Sequence, residues 1–147
     1  MTPKLPVSVL VVVHTAVAEV LLLERAARPG FWQSVTGSLD RADEPHAAAA
    51  QRELREETGL EARLEDLQRL NLAYTFEIHA QWRHRFAPGT THNTEHAFSL
   101  RLPGRAPIVL SPDEHTASRW LPWREAAEKC FSWSNRDAIR ILGQCAH

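Results

Sequence analysis

The run Arg52-Glu53-Leu54-Arg55-Glu56-Glu57-Thr58-Gly59-Leu60 constrains this chain more than any other segment. At about 100° per residue, a helix through it gathers Glu53, Glu56 and Glu57 within an arc of roughly 100°, while Leu54, Ala50 and Ala47 turn to an adjoining apolar stripe suited to packing on a sheet. Three ionised carboxylates on adjacent turns repel one another, and a hard cation bound through oxygen offsets that cost best. Glu53 and Glu57, four apart, are placed to chelate together, with Glu56 adjoining. Mg²⁺ is the ion expected, with Mn²⁺ as a substitute. A solvated acidic face is the ordinary reading when such a run stands alone. Here Gly37 precedes it after a strand-like stretch, Glu44 and Pro45 open the helix, and Gly59 stands where a left-handed C-terminal cap falls. Together they predict a loop, a helix over 45–58 and a second loop.

The 147 residues predict one domain, 1–147, large enough to bury a single core. Hydrophobic residues make up 44% and charged residues 24%, and the formal net charge is -1, so no global basic field invites a nucleic acid polymer or an anionic membrane. Any phosphate binding must come from local basic groups. Cys130 and Cys145 form no zinc-binding pattern, and reduced thiols in the cytoplasm are expected. The apolar stretch Val7 to Val13 imitates a short leader, but it is valine-rich and a second run, Val20 to Leu23, follows it, which predicts two hairpin strands. No run approaches the roughly 20 apolar residues needed to span a bilayer.

Further strands are predicted at 61–65, 68–79, 81–86 and 96–102, with an exposed loop at 88–94 between the last two, and another strand ends at Trp120-Leu121. Pro122 starts a short helix, and Ser134 is the expected N-cap of a terminal helix carrying Ile139, Ile141 and Leu142. Strands dominate and two helices are substantial. The order fits a mixed sheet between helices rather than a regular parallel array.

Gly37 through Leu60 resembles the Nudix box, G-x5-E-x7-R-E-U-x-E-E-x-G-U with U aliphatic. Glu44 keeps the spacing to Arg52 but leaves six residues after Gly37, whereas Asp43 would keep the spacing to Gly37 and break the other; the loop is one residue long. The resemblance implies an α/β fold of the Nudix type, an α/β/α sandwich with a mixed β-sheet between helices. It also implies metal binding at the carboxylates and an orienting hydrogen bond from Arg52 to the first of them. Diphosphate hydrolysis needs charge neutralised on phosphate oxygens and a water deprotonated beside phosphorus, and a carboxylate-bound ion supplies both. Coupled carboxylates titrate as a group, so the base stays unassigned.

Beyond the box, the chain is similar to the Nudix subgroup that acts on dihydroneopterin triphosphate. The similar segments are Phe31 to Ser38 with its Thr-Gly-Ser, Arg83-His84-Arg85 with Ala87-Pro88-Gly89, Asn93-Thr94-Glu95, Glu114-His115, and Ser132 to Arg136. That similarity implies substrate contacts at Lys4, Arg25 and Thr36 and metal contacts at Glu53, Glu57 and Glu114, the last as ligand or base. Lys4 suits a triphosphate as a point charge and Arg25 as a fork. Trp133 is placed either to stack on a pterin or purine or to join the core, and a core position is the better expectation for Trp32. Arg83 and Arg85 alternate along the expected 81–86 strand, as phosphate contacts or as sheet-edge charge. The eight histidines are scattered, and none is given a catalytic role.

The function these expectations imply is Mg²⁺-dependent hydrolysis of 7,8-dihydroneopterin triphosphate to the monophosphate and pyrophosphate, by a monomer or small homo-oligomer acting on a small-molecule triphosphate. The rivals are a pyrophosphohydrolase for dATP or oxidised nucleotides and, lower, a Nudix-fold sensor that binds without turnover.

Overall fold

Strands apolar on both faces need cover on both sides. In the computed structural model, which describes residues 2–145, β1 (Val7–Thr15) and β2 (Glu19–Arg25) are buried along most of their length. β1 runs parallel to β6 (His92–Leu102) from Val7↔Thr94 to Thr15↔Leu102. On its other side it meets β2 at a single pair, His14↔Val20. Beyond that pair β1 and β2 part, and residues 32–38 fill the gap. β3 (Trp32–Gln33) bonds to β2, and β4 (Val35–Ser38) bonds to β1 through Leu10↔Thr36 and Val9↔Gly37. β5 (Leu67–Glu77) lines the outer side of β6 and β7 (His115–Pro122) the outer side of β2, completing a seven-stranded mixed sheet.

Helices cover both faces. α1 (His46–Thr58) sets Ala49, Ala50 and Leu54 against Val9, Val11 and Val13. On the opposite face α2 (Trp123–Lys129) and α3 (Trp133–Cys145) pack Ala126, Ala138 and Ile139 against Leu10, Val12 and Leu22. This is the α/β/α layering that the resemblance implies. α1 ends where expected: Gly59 is left-handed at φ 75° and its N–H donates to the Arg55 carbonyl at 2.9 Å. Among the described residues, no helix is long and apolar enough to cross a membrane.

Four local expectations need correction. Residues 61–65 pair with no strand; Gln51 Nε2 instead donates to the Ala62 carbonyl at 2.7 Å and a 3₁₀ turn follows at Leu64–Asp66. Residues 81–86 are not a strand either, because Ala80–Arg85 forms a 3₁₀ turn anchored by the Trp82 ring against Phe131. The alternation proposed for Arg83 and Arg85 therefore does not exist. β6 begins at His92 rather than 96, since β1 offers Val7 and Ser8 as parallel partners to Thr94 and Glu95, and this buries Asn93 and Glu95. Finally α3 begins at Trp133, so Ser132 takes the capping position, its carbonyl accepting from Arg136 N–H, and Ser134 lies within the first turn.

Candidate active site

The acidic end of α1 lies against β4 because Gly37 has no side chain. A β-carbon there would stand 2.2 Å from the Glu53 carboxyl carbon. Arg52 fixes this arrangement from the other side. Its Nη1 donates to Glu53 Oε1 at 2.8 Å, its Nε and Nη2 each reach Glu44 at 3.1 Å, and Nη2 also donates to the Ser38 carbonyl at 3.2 Å. Burial pulls the guanidinium pKa down, and Glu44 and Glu53 together more than reverse it. Glu44 is buried and held below the usual carboxylate range, chiefly by Arg52. Asp43 is exposed and pairs only with Arg41 at 2.9 Å. The spacing to Arg52 therefore decides which acid opens the box, and the turn over 40–43 absorbs the extra residue.

Glu57, one turn on, is only 1% exposed, and burial and the Glu53 carboxyl raise its pKa well above the usual range. Glu53 is raised too, burial being the larger cause. Glu57 Oε1 has no hydrogen-bond partner, and neither has His115 Nδ1, which lies 4.0 Å from it. Glu114 joins them: ligand atoms of Glu57, Glu114 and His115 lie within 4.8 Å of one another. Two adjacent carboxyls raised by burial, beside an orphaned buried oxygen and an exposed acid at the mouth, make a donor set that fits a hard divalent cation. Glu56, its side chain 51% exposed, stays at the rim, 3.5 Å from Arg52 Nη1 and outside this cluster.

A cationic wall faces the acids. Lys4 bridges to Phe86 through the backbone, and its pKa is lowered by burial, Arg85 and Arg25. Arg25 is lowered by burial and Arg85, while Glu57 and Glu114 pull the other way; it also stacks 4.7 Å over the Trp82 ring. Lys4, Arg25, Thr36, Arg85 and Glu114 all line a polar cleft of about 410 Å³ with Glu53 and Glu57. Arg83 does not line it, because its guanidinium is tied to Glu77 at 2.5 Å and to the Ile78 carbonyl at 3.0 Å.

The cleft continues into a second cavity of about 400 Å³, walled by Phe76, Trp82, Phe131 and Trp133. Lys4, Arg25, Thr36 and Arg85 line both. Trp133 is 55% exposed and meets Tyr74 edge-on at 5.5 Å, whereas Trp32 is buried in the α2–α3 layer. Ser34 and Asn135 lock α3 to the 32–38 segment by reciprocal bonds of 2.8 and 2.9 Å.

Two residues given no role in the sequence reading stand at the centre of the cleft. Gln33 Oε1 takes Arg25 Nη1 at 3.4 Å, which turns its Nε2 towards His115 Nε2 at 3.3 Å. With that amide as donor, the His115 proton sits on Nδ1, towards Glu57. Burial, followed by Arg25, lowers the His115 pKa to about 4, so the ring is neutral near pH 7. The signal lay in the chain order: His115 follows Glu114 into a strand beside β2, where Arg25 and His115 pair across a bulge.

The NUDIX domain family matches residues 4–141. Dihydroneopterin triphosphate diphosphatase from Escherichia coli K12 is 45% identical over 139 residues, covering 92% of this chain and 91% of that protein. The Haemophilus influenzae protein of the same name is 38% identical over 136 residues, covering 90% and 84%. Among solved structures, the E. coli dihydroneopterin triphosphate pyrophosphohydrolase superposes with a TM-score of 0.89 at 43% identity, over 97% of each chain.

Proposed function

Since this chain belongs to the Nudix hydrolase family, we propose that it is a Mg²⁺-dependent pyrophosphohydrolase whose substrate is 7,8-dihydroneopterin triphosphate, cleaved to the monophosphate and pyrophosphate. The carrying observation is the layout of the cleft, with buried acids at one end, an aromatic cavity at the other, and Lys4, Arg25 and Arg85 lining both. A triphosphate attached to a flat heterocycle matches both halves at once. That the E. coli and H. influenzae relatives bear this activity as their names supports the substrate.

Each side chain has a task in that reaction. Lys4, Arg25 and Arg85 neutralise the phosphate chain, Arg25 as a planar fork braced on Trp82. Glu53, Glu57 and Glu114 would hold Mg²⁺, or Mn²⁺ in its place, while Glu56, expected among the ligands, stays at the rim beside Arg52. Bound there, the ion offsets phosphate charge and acidifies a water. Arg52 touches no phosphate; it keeps Glu53 in place. Thr36 turns its hydroxyl to the Val9 carbonyl at 2.9 Å, and its backbone partly offsets the rise at Glu57. Attack by water on phosphorus releases a proton, and the interacting Glu53 and Glu57 carboxyls, with Glu114 beside them, accept it as a group. Neutral His115 stands beside the Glu57 side of that group, its Nδ1 4.0 Å from Glu57 Oε1.

The test is kcat/KM for dihydroneopterin triphosphate and for dATP with Mg²⁺ supplied. A clear preference for the pterin is expected. Preference for dATP would reassign the enzyme to the nucleotide pool, and binding of both without turnover would make it a sensor.

A further inference from the structure

The mechanism leaves one buried acid unused. Glu95 is 6% exposed, lies on β6, and lines the aromatic cavity rather than the acidic cleft. Its Oε1 accepts from Ser134 Oγ at 3.0 Å, and its Oε2 lies 3.4 Å from Thr36 Oγ1. Thr36 has a single hydroxyl proton, and the Val9 carbonyl takes it at 2.9 Å. Glu95 Oε2 is then left with accepting capacity that Thr36 does not fill. Burial, partly opposed by Ser134 and Thr36, raises the Glu95 pKa to about 7, and two N–H donors from a ligand would favour its charged form.

Two residues back on the same face of β6, Asn93 also lines the cavity. Its Nδ2 donates to Ser8 Oγ at 2.8 Å, while its Oδ1 is buried with no partner. An acceptor left unpaired at such depth is costly unless something supplies a donor. A structural carboxyl capping α3 would need neither the cavity nor an idle neighbouring amide oxygen. Both side chains end in acceptors, and both residues line a cavity of about 400 Å³.

We propose that Glu95, with Asn93 Oδ1 beside it, reads the hydrogen-bonding edge of the bound heterocycle and selects rings that present two adjacent N–H donors. This rests on the reading of the site as a triphosphate hydrolase. The 2-amino-4-oxo ring of a pterin carries a ring N–H next to an exocyclic amino group, and guanine carries the same pair. One carboxylate accepts both in the bidentate manner. Adenine offers an acceptor next to its amino group, so a carboxylate loses one bond to it and faces a repelling lone pair. The selected substrate class is therefore 2-amino-4-oxo heterocycles over adenine.

Glu95→Gln tests this with little change to the internal contacts, because the amide oxygen still accepts from Ser134 and the amide nitrogen can donate to Thr36. In that variant kcat/KM for dihydroneopterin triphosphate is expected to fall roughly 10- to 100-fold while that for dATP holds or rises, since the amide matches adenine's edge. The wild-type enzyme with dGTP and dITP gives the second arm, dITP differing only by the missing amino group. A loss of about 10-fold from dGTP to dITP is expected in the wild type and little in Glu95→Gln. Equal kcat/KM for dGTP and dITP in the wild type, or an unchanged pterin-to-dATP ratio in the variant, overturns the role of Glu95. The dGTP and dITP arm decides the matter if the variant fails to fold. Failure of the wild type to cleave any triphosphate would instead overturn the reading beneath it.

Discussion

The two ends of the cleft both bury carboxyl groups, and they do so differently. At the acidic end Glu53 and Glu57 crowd one another, keep an oxygen without a partner, and face Lys4, Arg25 and Arg85. At the aromatic end Glu95 has no carboxyl crowding it, lines a cavity walled by rings, and is bonded by hydroxyls. Crowded acids have a net charge to share with a cation, whereas a single acid among rings has only a hydrogen-bonding pattern to offer. The first arrangement suits chemistry common to every diphosphate, and the second suits choice between rings.

The strongest way to break this contrast is Glu57→Gln. If the acidic end serves chemistry alone, kcat should fall on the order of 10³-fold, about 4 kcal/mol, for pterin and adenine substrates alike, with circular dichroism unchanged. Unaltered turnover would remove Glu57 from the reaction, and a loss confined to one ring would blur the two ends.

The next prediction concerns protonation at the aromatic end. Folding raises the Glu95 pKa from 4.5 to about 7, so the folded state favours the protonated acid. The stability this contributes is complete below pH 4.5 and is lost as pH rises through about 7. Wild-type stability relative to Glu95→Gln should therefore drop by about 3 kcal/mol across that interval in urea titrations. Parallel curves for the two proteins would show that Glu95 titrates normally.

Trp133→Ala should act more weakly and in only one direction. KM for the pterin should rise about 10-fold with kcat held, since a stacking face is lost and no phosphate contact changes. A fall in kcat at constant KM would move Trp133 out of ring binding. The smallest effect is expected for Arg83→Ala, which should leave kinetics within about 2-fold and stability within about 0.5 kcal/mol, because its partner Glu77 is exposed. Arg85→Ala, two residues on, should raise KM several-fold and do so more at low salt. Equal outcomes for the two arginines would mean that the cationic wall is drawn wrongly.

How much of this was legible in the sequence follows the same division. The acid-bearing helix is local: Glu44, Arg52, Glu53, Glu57 and Gly59 lie within one short stretch, and helical periodicity with a glycine stop determines where they point. The layered fold is legible for a related reason, since the valine and leucine runs demand cover on both faces. The ring cavity is assembled from β1 to β6, the 80–85 turn and α3, so no spacing along the chain encodes it. Arg83-His84-Arg85 shows the limit: alternating charge predicts a strand, whereas the segment forms a 3₁₀ turn with Trp82 packed on Phe131 and under Arg25, contacts from distant parts of the chain. His115 was missed because its meaning depends on Gln33, 82 residues away in the chain.

The segment that fills the gap between β1 and β2 presents Gly37 to Glu53 on one face and Thr36 to Glu95 on the other. Because neighbouring positions in a strand point oppositely, a slip of one residue would thrust a threonine side chain among the acids and leave Glu95 facing a glycine. Reactivity and ring choice would then fail in a single stroke. The turn after Ser38 can therefore carry an extra residue, as it does here, whereas one added between Trp32 and Ser38 would turn the side chains beyond it to the wrong face.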